Sequence, residues 1–504
     1  MTSTAPNVLL VMCDQFRFDA ISAHGNPDIS TPHLDRLVAS GASFRRAYAE
    51  SPVCVPARSV VLSGRLPHQT GVVDNGTPLP AEADTFVRAA ADAGYHCEAI
   101  GKMHFQPRRT PHGFHRMRLS EEIPNSPEED EYLTFLHEQG RTDVAEPHGV
   151  RHELYYSPQP SQLPEELTTT AWTGRTTVDF LQERAEKDQP WLCWTSFIKP
   201  HPPFDPPAPW YLMYDPLQMP DPVRDAEERD RLLHQVRHQH RSKWTSTDLE
   251  INRIRVIRAY YYALVSHVDH WVGQILDTLE STGQRENTLV VFTADHGEYL
   301  GDHWAFGKRG FHDSAARIPY VLSWPGHVPA GARPEAVTGH SDLAPTICAA
   351  IGARLPEPAP AGFDLAPVLA DDQAAVRTGL VGQFNDGATG LYAWLGTDRK
   401  YIYSAADRRE LLLEVGSDET ADLSRDPAEA STLSRLSAQL QEYFRADGYD
   451  APLDASTGTG WREFPPVTEP VDPHDRDPAG RGRQYARWDT PYPAVPEGLL
   501  GTPT

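Results

Sequence analysis

A cysteine, a proline and an arginine occupy alternate positions, Cys54, Pro56 and Arg58, in the run SPVCVPARSVVLSGRLPHQTGV. PARSVVLSG reads as a helix with Pro56 in its first turn. Residue 54 then stands at the helix N-terminus, where free N–H groups and the helix dipole favour an anion, and Arg58 follows one turn later. Such a placement suits a nucleophile that attacks a sulfate or phosphate ester. Two more pairs carry metal chemistry. Asp14 and Gln15 end the apolar run NVLLVM, and Asp295 and His296 end TLVVFTA. Two acid-bearing pairs at two strand ends make a divalent-cation site. Two carboxylates roughly balance such an ion, which leaves room for an anionic substrate. Calcium prefers oxygen ligands, whereas an imidazole invites manganese, zinc or iron, so His296 leaves the metal open. The string GKMHF puts Lys102 and His104 on one face of an extended segment. His201 lies in the proline-stiffened FIKPHPPFDPP and Lys308 in AFGKRGFHDSAARIP.

Positioning these residues requires strand ends that converge. Strand-like runs (NVLLVM, HCEAIG, WLCWTSFI, TLVVFTAD, YVLSWPG) alternate with amphipathic helical stretches such as TPHLDRLVASG, with Leu34, Leu37 and Val38 on one face, and TFVRAAADAG. A long helix is expected from Leu249 to Leu279, with Ile257, Tyr261, Leu264 and Val268 at helical spacing. The alternation implies an α/β fold: a large, mixed but mainly parallel sheet sandwiched by helices. Ligands in such sheets sit at the carboxyl ends of the strands, where Asp14, Lys102, His201 and Asp295 fall. The catalytic α/β domain is expected to span 1–372, with the polar stretch 120–170 as an excursion that roofs the site. A smaller α+β subdomain is expected over 373–455, with an antiparallel sheet (GLYAWLGTD, RKYIYS, RELLLEV) and the helix STLSRLSAQLQEYF. A tail rich in proline and aspartate follows over 456–504.

The chain has 504 residues and a formal charge of -24, from 46 Lys and Arg against 70 Asp and Glu. An acidic surface of this kind excludes nucleic acid as a partner. It also means that an anionic substrate needs a local cluster of cations or a metal, which the motifs provide. No apolar run approaches the length of a membrane span. The N-terminus lacks a basic region and reads as a first buried strand rather than a signal peptide. Five scattered cysteines argue for a reducing compartment, so a cytoplasmic location is expected, with no membrane partner. The acidic surface and the tail permit a homo-oligomer.

Taken in order, these strings resemble the type I sulfatases of the alkaline phosphatase superfamily, from about residue 6 to 350. The connecting text TPHLDRLVASGASFRRAYAESPVC, GRLPHQTGV, GKMHF, KPHPPF, DHGEYLGDH and SAARIPYV belongs to the resemblance. The resemblance implies that Cys54 is converted by a formylglycine-generating enzyme to formylglycine, whose hydrated aldehyde is the nucleophile. It implies that Asp14, Gln15, Asp295 and His296 bind one divalent metal together with residue 54. Calcium is the ion expected, with manganese or zinc as alternatives. It implies that Arg58 stabilises the diol and that Lys102 and Lys308 hold the sulfate. His201 or Lys308 then protonates the leaving alcohol, and His104 takes a proton from the second diol hydroxyl, which expels sulfate. The chain departs from the commonest pattern at Gln15, at His296 and at Ala57, where many members have Asp, Asn and Ser. The Asp-Gln and Asp-His pairs, with Asn75 in GVVDN as a substrate-side residue, are instead similar to choline sulfatases and to phosphonate monoester and phosphodiester hydrolases. GKMHF is shared with choline sulfatases, which favours a small-molecule sulfate ester. A phosphonate monoester or phosphodiester hydrolase with the same nucleophile is the alternative, and a non-catalytic metal- or anion-binding protein a lesser one.

Overall fold

The computed structural model describes residues 5–124, 126–151, 155–229, 231–242, 250–371 and 374–467. Nine short strands build the larger part: β1 (Asn7–Cys13), β2 (Ala42–Ser43), β3 (Arg46–Tyr48), β4 (His96–Gly101), β5 (Arg116–Leu119), β6 (Trp191–Phe197), β7 (Thr288–Ala294), β8 (Tyr320–Ser323) and β9 (Val337–Gly339). Seven of them form one sheet in the order β2-β8-β7-β1-β6-β4-β5. Its central pairs β7-β1, β1-β6, β6-β4 and β4-β5 are parallel. The edge formed by β8 and β2 is antiparallel. Strands β3 and β9 pair separately, in parallel. β6 and β7 are buried at every residue and β1 at all but Asn7. A parallel sheet covered on both faces demands such continuous apolar runs.

The covering helices follow the expected periodicity. Helix α1 (Pro32–Ser40) buries Leu34, Leu37 and Val38. Helix α2 (Cys54–Ser63) is buried along its whole length, and α3 (Phe86–Asp92) buries Phe86, Val87, Ala89 and Ala90. Helices α4 (Thr169–Ala185) and α5 (Ile251–Ser281) pack on each other. Helix α5 is the long helix read in the sequence, shifted two residues toward the C-terminus.

A second, four-stranded antiparallel sheet runs in order through β10 (Gly379–Phe384), β11 (Leu391–Gly396), β12 (Arg399–Ser404) and β13 (Arg409–Glu414). Helix α6 (Ala430–Ala446) lays Leu436, Leu440 and Phe444 against it. Strand β10 was not among the expected strands, because GLVGQF lacks a regular apolar–polar alternation and carries two glycines. The expected domain boundary at 372 falls outside the described residues, as does most of the expected tail. The part of 456–504 that is described behaves differently from a tail. Trp461 is fully buried, stacks on Tyr403 at 4.3 Å and donates its indole N–H to the Tyr401 hydroxyl at 2.9 Å. A lone tryptophan among polar residues gives no periodic signal, yet it closes the core of this smaller unit.

The two sheets are joined at Lys400 of β12. Its buried ammonium donates to the Phe311 carbonyl at 3.1 Å, pairs with Glu419 at 2.6 Å and with Asp313, and lies 4.8 Å from the centre of the Tyr48 ring.

Candidate active site

Four neighbouring strands end together. The register pairs Cys13 with Phe197 and with Ala294, and Gly101 with Ser196. The pairing continues one residue further: Asp14 N–H donates to Phe197 O, Asp295 N–H to Cys13 O and Lys102 N–H to Ser196 O, at 2.9–3.2 Å. Asp14, Asp295 and Lys102 are therefore the first residues past three adjacent strands. Gly101 has φ +91°, and a Cβ there would stand 2.1 Å from the Ser196 carbonyl oxygen. Only glycine fits the turn that delivers Lys102.

Helix α2 points its N-terminus at these strand ends. Val53, its extended N-cap, offers no side-chain acceptor, and Asn75 Oδ1 accepts the Val55 N–H at 3.0 Å instead. Cys54 Sγ lies 2.8 Å from Lys308 Nζ, 3.4 Å from His296 Nε2 and 3.8 Å from Asp14 Oδ1. Ligand atoms of Asp14, Cys54, Asp295 and His296 all lie within 4.8 Å of one another, and all four residues are buried. His296 Nδ1 faces the Gly297 carbonyl at 2.9 Å. The proton belongs on that nitrogen, which turns the Nε2 lone pair toward the cluster. Gln15 donates its amide N–H to Asp295 Oδ1 at 3.0 Å and its side-chain N–H to Glu298, while its buried Oε1 has no hydrogen-bond donor. A buried acceptor without a donor costs stability. Two carboxylates, an imidazole lone pair and an orphaned amide oxygen together fit a divalent cation.

Arg58 holds the carboxylates from beneath. Its Nε and Nη2 lie 3.1 and 3.0 Å from Asp295 Oδ2, and its Nη1 donates to Lys102 O at 2.6 Å and Ser196 Oγ at 2.9 Å. Lys102 Nζ pairs with Asp14 and, at 2.7 Å, with Glu122 Oε2. His201 Nδ1 faces the Pro202 carbonyl at 2.6 Å, and its Nε2 lies 3.5 Å from both Glu122 Oε1 and the Tyr155 hydroxyl. His104 follows Lys102 on the same segment. Its N–H donates to Glu121, and its buried Nδ1 has no partner. Gln15 and His104 hold left-handed φ values of +64° and +59°. Strain of this kind in non-glycine residues persists where the surroundings over-determine it, and it gathers at functional sites.

Electrostatics follow from this packing. Burial and Asp295 push the Asp14 carboxyl up, but Lys102, His201 and Lys308 outweigh them and hold it at about 2. Burial also raises Asp295, and His296 and Arg58 more than reverse it. Burial and Asp14 raise the Cys54 thiol, yet Lys308, Lys102 and His296 leave it below the ordinary thiol value. Burial, reinforced by Lys102, takes the His104 imidazole down to about 4. Burial also depresses His201, against the opposing pull of Glu122 and Asp14. The pocket therefore holds charged lysines and a neutral His104.

Sequence reasoning singled out eleven residues: Asp14, Gln15, Cys54, Arg58, Asn75, Lys102, His104, His201, Asp295, His296 and Lys308. Asn75, expected on the substrate side, lies at the start of α2, where its side-chain oxygen accepts the Val55 N–H. Glu122, Arg151, Tyr155, Ser196 and Glu298 were not singled out. Glu298 accepts from Gln15, from Leu300 N–H at 3.0 Å and from Gly307 N–H, tying the metal-side loop to the loop that carries Lys308. It stands inside the string DHGEYLGDH, so its acidity three residues past Asp295 was the available signal. A separate His/Glu cluster, Glu228, His303 and His312, also gathers ligand atoms. Its two imidazoles stack at 4.0 Å with planes 20° apart, so their in-plane lone pairs do not converge on one ion.

The sulfatase family model matches residues 6–353. An arylsulfatase of Clostridium perfringens is 28% identical over 456 residues, covering 85% of this chain and 90% of that protein. The choline-sulfatase of Rhizobium meliloti is 27% identical over 483 residues, covering 92% and 91%. The crystal structure of the phosphonate monoester hydrolase of Agrobacterium radiobacter superposes with a TM-score of 0.75 at 27% identity, over 92% of this chain and all of that one. A match over most of the catalytic body, with the strand-end cluster at its centre, makes this chain a member of the sulfatase family.

Proposed function

We propose that the chain hydrolyses sulfate monoesters to an alcohol and inorganic sulfate. The observation that carries this reading is Cys54 Sγ at a buried helix N-terminus, 2.8 Å from Lys308 Nζ and beside the Asp14, Asp295 and His296 ligand atoms. Sγ stands in for the oxygen that residue 54 would bear after conversion to hydrated formylglycine by a formylglycine-generating enzyme. That hydrate supplies the attacking hydroxyl and, through its second hydroxyl, the exit of sulfate. Asp14, Gln15, Asp295 and His296 would hold the metal, calcium first and manganese or zinc next, and the metal supplies Lewis-acid polarisation of the ester.

The chain's own residues do the rest. Lys102 and Lys308 bind ester oxygens as charged donors. Arg58 keeps Asp295 ionised and fixes the carbonyl of Lys102, so carboxylate and ammonium stay aligned. Lys308 carries a proton within reach of residue 54 and can pass it to the leaving oxygen. With Nδ1 turned to the Pro202 carbonyl, His201 can donate from Nε2 only as imidazolium, a form that burial disfavours, so the proton for the leaving oxygen falls to Lys308. Neutral His104 can accept the proton released when sulfate departs. Among the described residues no helix is long and apolar enough to cross a membrane. All five cysteines are buried and free, which supports a cytoplasmic enzyme.

The likeness to a phosphonate monoester hydrolase favours a second reading, in which the same residues attack phosphorus. The test is a hydrolysis panel of matched aryl sulfate, phosphodiester and phosphonate esters on protein from the native host, with residue 54 followed by mass spectrometry. Thiol-to-aldehyde mass loss with fastest release from the sulfate is expected. An intact thiol and no released sulfate overturns the first reading, and a strong preference for the phosphorus esters installs the second.

A further inference from the structure

Glu122 stands in the anion pocket without a part in the chemistry above. It comes from the polar excursion after β5, and its side chain is 10% exposed. Oε2 lies 2.7 Å from Lys102 Nζ, while Oε1 pairs with the Arg151 guanidinium and lies 3.5 Å from His201 Nε2. A carboxylate resting on two fixed cations is ionised at neutral pH. It therefore places a permanent negative charge beside Lys102, the residue read as holding the substrate's oxygens.

The geometry points to Glu122 as a specificity-determining residue that limits the charge of the bound ester, admitting monoanionic esters and rejecting dianionic ones. This rests on the proposed reading that the substrate's oxygens sit on Lys102. An ester oxygen bonded to Lys102 Nζ at about 2.8 Å lies no more than about 5.5 Å from Glu122 Oε2, since Oε2 is itself 2.7 Å from that nitrogen. Sulfate monoesters, phosphodiesters and phosphonate monoesters carry one negative charge, whereas a phosphate monoester carries two above its second pKa of about 6. The second charge of a dianion meets the carboxylate across that short gap. In a pocket of intermediate dielectric one extra unit charge at such a distance is disfavoured on the order of a hundredfold. Screening by Lys102 and Arg151 brings the expected discrimination down to about tenfold or more. The favourable pairing of Glu122 with Lys102 also means that a dianion cannot simply replace the carboxylate without leaving Arg151 unpaired.

The test compares four 4-nitrophenyl esters at pH 8: the sulfate, the ethyl phosphodiester, the phenylphosphonate and the phosphate monoester. Here kcat/KM is measured for the wild type, Glu122→Gln and Glu122→Asp, each checked by circular dichroism for its fold. The ratio of phosphate monoester to the best monoanionic ester is expected to rise about tenfold or more in Glu122→Gln. In Glu122→Asp, which keeps the charge, it should return toward the wild-type ratio. A residue that merely props Lys102 would lower all four rates together and leave the ratio where it was, and that result overturns the inference alone. If the wild type with converted residue 54 hydrolyses none of the three monoanionic esters, the reading of the site falls and this inference falls with it.

Discussion

Arg58 is the residue whose loss the structure prices most clearly. Its guanidinium is 1% exposed and serves three acceptors: Asp295 through Nε and Nη2, and Lys102 O and Ser196 Oγ through Nη1. Asp295 and Asp14 are both fully buried, with Asp14 Oδ2 3.7 Å from Arg58 Nη2. Replacing Arg58 with Met keeps most of the volume and removes the charge. Two buried carboxylates then face each other with less compensation, and the Lys102 carbonyl loses its donor. Breaking a buried pair from one side costs about 3–5 kcal/mol. Arg58→Lys keeps the charge but not the planar fork. A single ammonium cannot reach Asp295 and the Lys102 carbonyl in the same geometry, so the loss is about 1–3 kcal/mol, the cost of one buried acceptor. The assay is urea unfolding of chelator-treated protein followed by tryptophan fluorescence, with sulfate ester hydrolysis measured beside it. The expected order of stability is wild type, then Lys, then Met, and both variants should lose turnover. Variants within about 0.5 kcal/mol of the wild type, the range of ordinary surface substitutions, would refute the reasoning.

Gly101→Ala should destabilise the fold by several kcal/mol (~3 or more, from a forced φ and an overpacked contact) and displace Lys102, read as a lowered thermal midpoint with lost activity. His112 is 1% exposed and burial takes its imidazole down to about 4. An unfolded imidazole titrates near 6.5, so between these values the unfolded chain binds the extra proton and stability falls as pH falls. The loss reaches at most about 3 kcal/mol, and His112→Asn should shrink the wild-type advantage in urea midpoint between pH 7 and pH 4. Dialysis against a chelator should abolish hydrolysis and lower the thermal midpoint. Calcium should restore both in the wild type and restore neither in Asp295→Asn, as measured by calorimetry and turnover on the same samples.

Much of the site was legible because its residues sit at the ends of apolar runs. Asp14 after NVLLVM, Lys102 after HCEAIG and Asp295 after TLVVFTA need only the rule that parallel strands end on one edge. Helix α2 was legible from Pro56 and the apolar residues behind it. Glu122 and Arg151 were not, because their meaning lies in a pairing across 29 positions within a polar segment that has no period. Trp461 was hidden for a similar reason: the strand with its partners Tyr401 and Tyr403 was legible, but no period in the polar segment around Trp461 directs it onto that strand. The capping bond from Val55 N–H to Asn75 was not legible either, since it joins α2 to a loop 20 positions away.

Lys400 bears on how this protein can be taken apart. The family model ends at residue 353, which invites a view of the later residues as an optional appendage. Yet the ammonium of Lys400 reaches back from β12 to Asp313 and the Phe311 carbonyl, five and three residues beyond Lys308. Excising the second sheet would remove this contact from the segment that follows Lys308 and leave Asp313 with Arg317, at 3.2 Å, as its cation. The second sheet therefore contributes a buried contact to the segment that carries Lys308. An exchange of C-terminal halves between relatives would have to carry the Lys400 contact with it to preserve the position of Lys308.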